Sequence, residues 1–198
     1  MSETLPVAYL VRHGETAWSL LGRHTGRTDL PLTPRGEQTA RELGERLQGL
    51  VVAKVLTSPL QRAAHTCTLA GFGTVAETDH DLVEWDYGDF EGLTSREIRV
   101  RHPGWSLFRD GCPGGEALTA IGARADRVVQ RLRGVDGNAL VFSSGHFLRI
   151  LAARWLGEDP AVGRHFVLGT AAICALGYDH GRTEPVIRLW NQLPQAAP

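Results

Sequence analysis

Cysteine is scarce, with three in 198 residues at Cys67, Cys112 and Cys174. So few, and so far apart, they form neither a metal knuckle nor a disulfide framework. A reducing compartment, the cytoplasm, is the expectation. An excess of one charge is missing too: 21 Lys and Arg stand against 22 Asp and Glu, for a formal net charge of -1. That leaves no basic field for nucleic acid. Long apolar runs are absent. The stretches near 139–156 and 170–178 are broken by His146, Arg149 and Arg154 or are too short for a bilayer. The opening Met-Ser-Glu-Thr-Leu-Pro has no basic region before an apolar run, so neither a secretory leader nor membrane association is expected. There is no His-Glu-x-x-His and no paired cysteine set, so no metal and no other cofactor is expected. Neither Ser58 nor Ser144 sits in a Gly-x-Ser-x-Gly elbow, which argues against a serine hydrolase.

What is present suits one domain, 1–198, with a full core: 42% of the residues are apolar. Residues 6–11 read as a buried strand, followed by a long loop over 12–33. Thr33-Pro34 opens a helix with Ala40, Leu43, Leu47 and Leu50 on one stripe. Residues 51–57 read as a strand. Ser58-Pro59-Leu60-Gln61 then combines a cap, a first-turn proline and a capping-box glutamine. A short strand is expected at 74–77, a capped helix at Thr94 to Glu97, and irregular chain over 101–115. A helix over 116–132 carries Ile121, Ala125, Val128, Val129 and Leu132 on one side. Strand 139–144 leads at once into helix 146–156, and strands 171–177 and 186–190 follow. Residues 194–198 are expected to fray. This order predicts an α/β fold, a three-layer α/β/α sandwich with a mostly parallel central sheet. An exposed edge strand near 186–190 leaves room for pairing into a homodimer.

The chemistry gathers where strands end. Arg12, His13 and Gly14 leave the first strand together, and Gly145-His146 leave the strand over 139–144. The carboxyl ends of parallel strands are where α/β proteins place ligands. An imidazole attacks phosphorus well and leaves again, so His13 is the candidate nucleophile, its other nitrogen fixed by a backbone carbonyl. Arg12 and Arg62 offer rigid forks that match phosphoryl oxygens. Arg62 lies at a helix start, which also favours an anion; Arg149 is a weaker clamp. His146, after Gly145, could hold an equatorial oxygen. Glu84 is the candidate general acid and base among several nearby acids, with Glu15 an alternative. Ser19, Thr25 and Gly26 could donate to phosphate or simply make turns. Trp18, Trp85, Tyr87, Trp105 and Phe108 could wall a pocket or fill the core.

Three runs then belong together: Leu10-Val-Arg12-His13-Gly14-Glu15-Thr16, Leu32-Thr-Pro-Arg-Gly36 and Thr57-Ser-Pro-Leu-Gln-Arg62-Ala63. With Glu84-Trp-Asp-Tyr-Gly-Asp-Phe-Glu-Gly92 and Ser144-Gly-His146-Phe-Leu-Arg149, they resemble the histidine phosphatase superfamily in its own motif order. The resemblance implies a phosphoglycerate mutase-like fold and a phosphohistidine at His13. It further implies phosphate held by Arg12, Arg62 and His146, a proton donor at Glu84, and no metal. Ser19 departs from the asparagine that many relatives carry. Gly22-Arg-His24-Thr-Gly26 and Trp105 to Glu116 look like the branch that contains fungal sedoheptulose-1,7-bisphosphatase. That likeness implies a substrate-covering insert over about 94–115, with His24 and Arg109 facing a distal phosphate or hydroxyl. The expected activity is hydrolysis of a small phosphate ester, a sugar phosphate or bisphosphate. The alternatives are a cofactor-dependent phosphoglycerate mutase, a phosphohistidine or phosphoprotein phosphatase, and a non-catalytic phosphate-binding protein.

Overall fold

The computed structural model describes residues 5–194. The expected frayed end over 195–198 lies outside them. Six strands form one sheet: β1 (Ala8–Arg12), β2 (Lys54–Thr57), β3 (Ala76–Thr78), β4 (Ala139–Ser143), β5 (Ile173–Tyr178) and β6 (Pro185–Gln192). Their order is β3-β2-β4-β1-β5-β6. The first four run parallel, while β5 and β6 run antiparallel to their neighbours.

Alternation along the central strands splits the core in two. Leu10, Leu56, Val141, Cys174 and Leu176 pack with Ile121, Ala125, Val128 and Leu151. Those partners belong to α6 (Leu118–Arg133) and α7 (Gly145–Trp155). The residues between them, Val11, Val55, Leu140, Phe142 and Ile173, face Leu43, Leu47, Cys67 and Ala70. That second layer is α2 (Pro34–Arg46) and α3 (Gln61–Leu69) with the residues that end them. The result is the expected sandwich.

Several local expectations need correction. Residues 12–33 are not structureless: α1 (Ala17–Leu20) begins at Thr16, whose hydroxyl and the Ser19 hydroxyl cap each other's backbone. Strand β2 starts only at Lys54, where pairing with Ala139 begins, and Val51 is exposed. Helix α3 starts at Gln61 with no cap from Ser58. Asp29 does that work: its Oδ1 accepts from Gln61 N (2.8 Å), and Gln61 Nε2 donates to its carbonyl (2.8 Å). Helix α4 (Ser95–Arg101) has the expected Thr94–Glu97 capping box. The stretch 101–115 contains a further short helix, α5 (Leu107–Asp110). Among the described residues, no helix is long and apolar enough to cross a membrane.

Candidate active site

A cleft of about 370 Å³ opens at the carboxyl ends of β1 and β4. Arg12, His13, Thr25, Glu84, Gly145, His146 and Arg149 are among the residues that line it. Ser19, Gly22, Arg23, His24, Tyr87, Ser95, Leu107 and Leu168 complete it.

His13 follows β1 and is buried. Its backbone N–H donates to Ser143 O (3.0 Å), and its Nδ1 lies 2.7 Å from Gly14 O. A carbonyl can only accept, so Nδ1 carries the proton and Nε2 keeps a lone pair. Burial pushes the His13 pKa well below 6.5, and the charges of Arg62 and Arg12 push it further. A neutral imidazole with one nitrogen fixed is the nucleophilic form. Gly14 is required here because a β-carbon would strike the Gly36 carbonyl at the start of α2. The same turn is tied to α3: Gly14 N–H donates to Thr66 Oγ1, which donates to Arg62 O.

Two guanidiniums flank this imidazole. Arg12 donates to Leu168 O, and its Nε lies 3.2 Å from where a β-carbon on Gly145 would stand. Gly145 therefore acts by leaving room for Arg12. Arg62 is fully buried and donates to the carbonyls of Thr25, Gly26 and Thr28. Both arginines keep a buried Nε with no partner among the described residues. Such groups are costly to leave unpaired, and a phosphoryl oxygen is a fitting acceptor.

Glu84 is buried beside them. Its Oε1 accepts from the N–H groups of Trp85 (2.9 Å) and Phe147 (2.8 Å), and its Oε2 from His146 N (2.9 Å). The carboxylate thus caps α7 from outside that helix. Arg124, which sequence reasoning missed, holds the segment by donating to the carbonyls of Asp81 and Val83 and pairing with Glu116. It sits beside the apolar stripe of α6, and no local pattern marks it.

The structure places the remaining candidates and corrects several of them. His146 lines the cleft from the first turn of α7. The parallel register joins Arg12 to Ser143, so its next step sets Ser144 opposite His13. His146 is already on α7, with Nδ1 2.7 Å from Tyr87 Oη and its ring 5.6 Å from that of Phe108. Burial and the charge of Arg149 hold its pKa well below 6.5. Ser19 lines the cleft, yet its single hydroxyl proton goes to Thr16 O (3.0 Å), leaving no side-chain donor for phosphate. Gly26 gives its N–H to Glu91 (2.7 Å), so it positions Arg62 through its carbonyl. Thr25 does the same while its hydroxyl donates to Arg23 O. Arg109 is turned out to solvent, bound to Asp110 and Gly104 O, away from the cleft. Glu15 accepts from Thr33 and only braces the turn. Arg149 stacks on Phe108 and bonds Gly163 O and Arg164 O. Trp85, Trp105 and Phe108 are core, and Tyr87 alone of the five aromatics lines the cleft.

His24 does line the cleft. Burial lowers its pKa to about 4, helped by Arg99, so it too is neutral. The three thiols stay protonated at neutral pH: burial pushes Cys67 and Cys112 up to about 12 and Cys174 up to about 11. Arginines outnumber the one carboxylate around the cleft, and its histidines are neutral. That donor set draws an anion and repels a cation.

The histidine phosphatase superfamily (branch 1) profile matches residues 8–193. The chain belongs to that superfamily. A Mycobacterium tuberculosis acid phosphatase is 43% identical over 176 residues, 87% of this chain and 86% of that protein. The sedoheptulose 1,7-bisphosphatase of Saccharomyces cerevisiae is 36% identical over 189 residues, 79% of this chain and 70% of that protein. A solved structure from M. tuberculosis, of the open reading frame Rv3214, superposes with a TM-score of 0.89 at 39% identity, covering 95% of this chain and 98% of that one. This histidine phosphatase is accordingly a phosphohistidine-type hydrolase of small phosphorylated metabolites.

Proposed function

We propose that His13 is the nucleophile and that the substrate is a sugar phosphate or bisphosphate. The observation that carries the first part is the His13–Gly14 bond, which leaves Nε2 as a free lone pair beside two arginines. In the first step Nε2 attacks phosphorus and the ester P–O bond breaks. Glu84, protonated on Oε2 (the oxygen that accepts a single N–H) when the substrate binds, gives the leaving alkoxide that proton. In the second step water attacks the phosphohistidine, Glu84 takes the water's proton and the P–N bond breaks, releasing inorganic phosphate. Arg12 and Arg62 hold the equatorial oxygens as charge builds on them. Tyr87 keeps its proton, because burial and the charge of Glu84 raise its pKa well above 10. Donating to Nδ1 of His146, it leaves Nε2–H of that ring to hold a substrate oxygen.

Two features favour a substrate with a second anionic group. Arg23 and Arg149 line the cleft in addition to the arginines around His13. The 36% identity to a sedoheptulose 1,7-bisphosphatase points the same way. In this reading residues 94–115 cover the substrate, since Ser95 and Leu107 reach the cleft.

The test is phosphate release from a panel of sugar bisphosphates, sugar monophosphates, 3-phosphoglycerate, nucleotides and a phosphopeptide, with H13A alongside. One bisphosphate with kcat/KM above roughly 10⁴ M⁻¹s⁻¹ is expected, with an acid-labile phosphoenzyme that H13A does not form. Wild-type turnover by H13A would overturn the nucleophile. Preference for 3-phosphoglycerate, a nucleotide or the phosphopeptide would overturn the substrate class.

A further inference from the structure

Three buried side-chain polar atoms have no partner among the described residues: Arg12 Nε, Arg62 Nε and Ser144 Oγ. Two belong to the phosphate-binding arginines of the reading above. The third belongs to a serine with no role so far, at a position made for one.

Ser144 is the N-cap of α7, and a serine there ordinarily accepts from the second or third helical N–H. Those donors are His146 N and Phe147 N, and Glu84 takes both. Ser144 is thus relieved of capping, and no side-chain cap bond forms. Its neighbour Ser143 shows the contrast, with Oγ donating to Leu82 O at 2.6 Å. Ser144 has no exposure to water and could be expected to carry an apolar group instead.

Its location explains the hydroxyl. The β1–β4 ladder ends with Arg12 opposite Ser143, and the His13 N–H continues it by bonding Ser143 O. Ser144 therefore stands across from the nucleophile. The Arg12 guanidinium passes over the next residue, Gly145. No hydrogen bond fixes the Ser144 side chain, so it can turn toward an arriving anion without losing a partner.

We propose that the Ser144 hydroxyl donates to the phosphoryl group in transfer at His13, as a third donor beside Arg12 and Arg62. This rests on the phosphohistidine reading. Ser144 is then a catalytic residue, one that strengthens the transition state more than substrate binding.

The test compares S144A with the wild type by kcat and KM on the best panel substrate, orthovanadate inhibition and the thermal midpoint. Removing the hydroxyl is expected to lower kcat about 100- to 1000-fold, the usual effect of losing one such donor. KM should change little and vanadate should bind more weakly by a similar factor. The midpoint should hold or rise, because a buried unpaired hydroxyl is gone. Wild-type kcat with unchanged vanadate affinity in S144A would overturn the proposal. So would a lower thermal midpoint with both of those retained, since that would make the role structural. A wild type that turns over without any phosphoenzyme would overturn both readings, and it separates that failure from one confined to the variant.

Discussion

Single atoms decide the chemistry of this cleft. Gly14 O selects the tautomer of His13, and Tyr87 Oη reaches the inner nitrogen of His146. Glu84 spends both oxygens on N–H groups of Trp85, His146 and Phe147. It therefore has a positional task as well as the proposed proton transfer. Glu84→Gln would set an amide NH2 against one or more of those donors, so some loss on every substrate is expected. The diagnostic is a ratio. An ester with a poor leaving group should lose at least about tenfold more than p-nitrophenyl phosphate, whose leaving group needs little protonation. Steady-state kcat on both esters checks this, and equal losses would remove Glu84 from the acid role.

At the scale of elements, the ends of helices do the positioning. Helix α7 brings its first turn to the cleft, helix α3 brings Arg62 to bear on His13, and a carboxylate from elsewhere in the chain caps each one. Asp29 caps α3, and Glu84 caps α7. The loop over 12–33 is therefore part of the site's frame. Its carbonyls at Thr25, Gly26 and Thr28 grip Arg62, while Asp29 grips the helix from which Arg62 projects. Asp29→Ala should cost about 0.5–2 kcal/mol, the range for a lost helix cap, and should lower kcat through Arg62. Asp29→Asn keeps an accepting oxygen and should retain most of both. Urea midpoints with matched kcat values check the pair. Loss of stability without loss of rate would show that α3 holds Arg62 unaided.

For the whole molecule, the buried histidines impose a pH dependence. His13, His24 and His146 are all held below 6.5 in the fold. In the unfolded chain they titrate near 6.5. Below that pH the unfolded state binds protons that the native state refuses, so stability falls as pH falls. Above it these groups contribute no slope. For His24 the loss runs from about 6.5 down to about 4. Asp81, Glu97 and Asp110 are carboxylates held below their ordinary values, so their contribution is lost only at still lower pH. The thermal midpoint should thus be level between about 6.5 and 8, decline between 6.5 and 4.5 with a shallower decline in His24→Gln, and decline again above about 8.5, where the unfolded thiols ionise and the buried ones do not. Calorimetry across that range checks it, and parallel slopes would mean His24 is not held neutral.

Local rules carried much of this protein. Period-two strands, the Thr33-Pro34 and Thr94–Glu97 helix starts, and His13 with Arg12 at a strand end were all legible, because each depends on neighbours a few residues away. The roles at a distance were not. Asp29 caps a helix 32 residues on, and Glu84 reaches 63 residues to Phe147. Ser19 has the chemistry to hold phosphate, but its hydroxyl bonds within its own turn. Arg109 has the chemistry of a distal clamp, but Asp110 and Gly104 hold it outward. Composition and motif order determined the fold class and the kind of chemistry. Strand register alone decided that Ser144, and not His146, stands across from His13, because a residue's partner over a sheet is set by pairing between segments far apart in the chain.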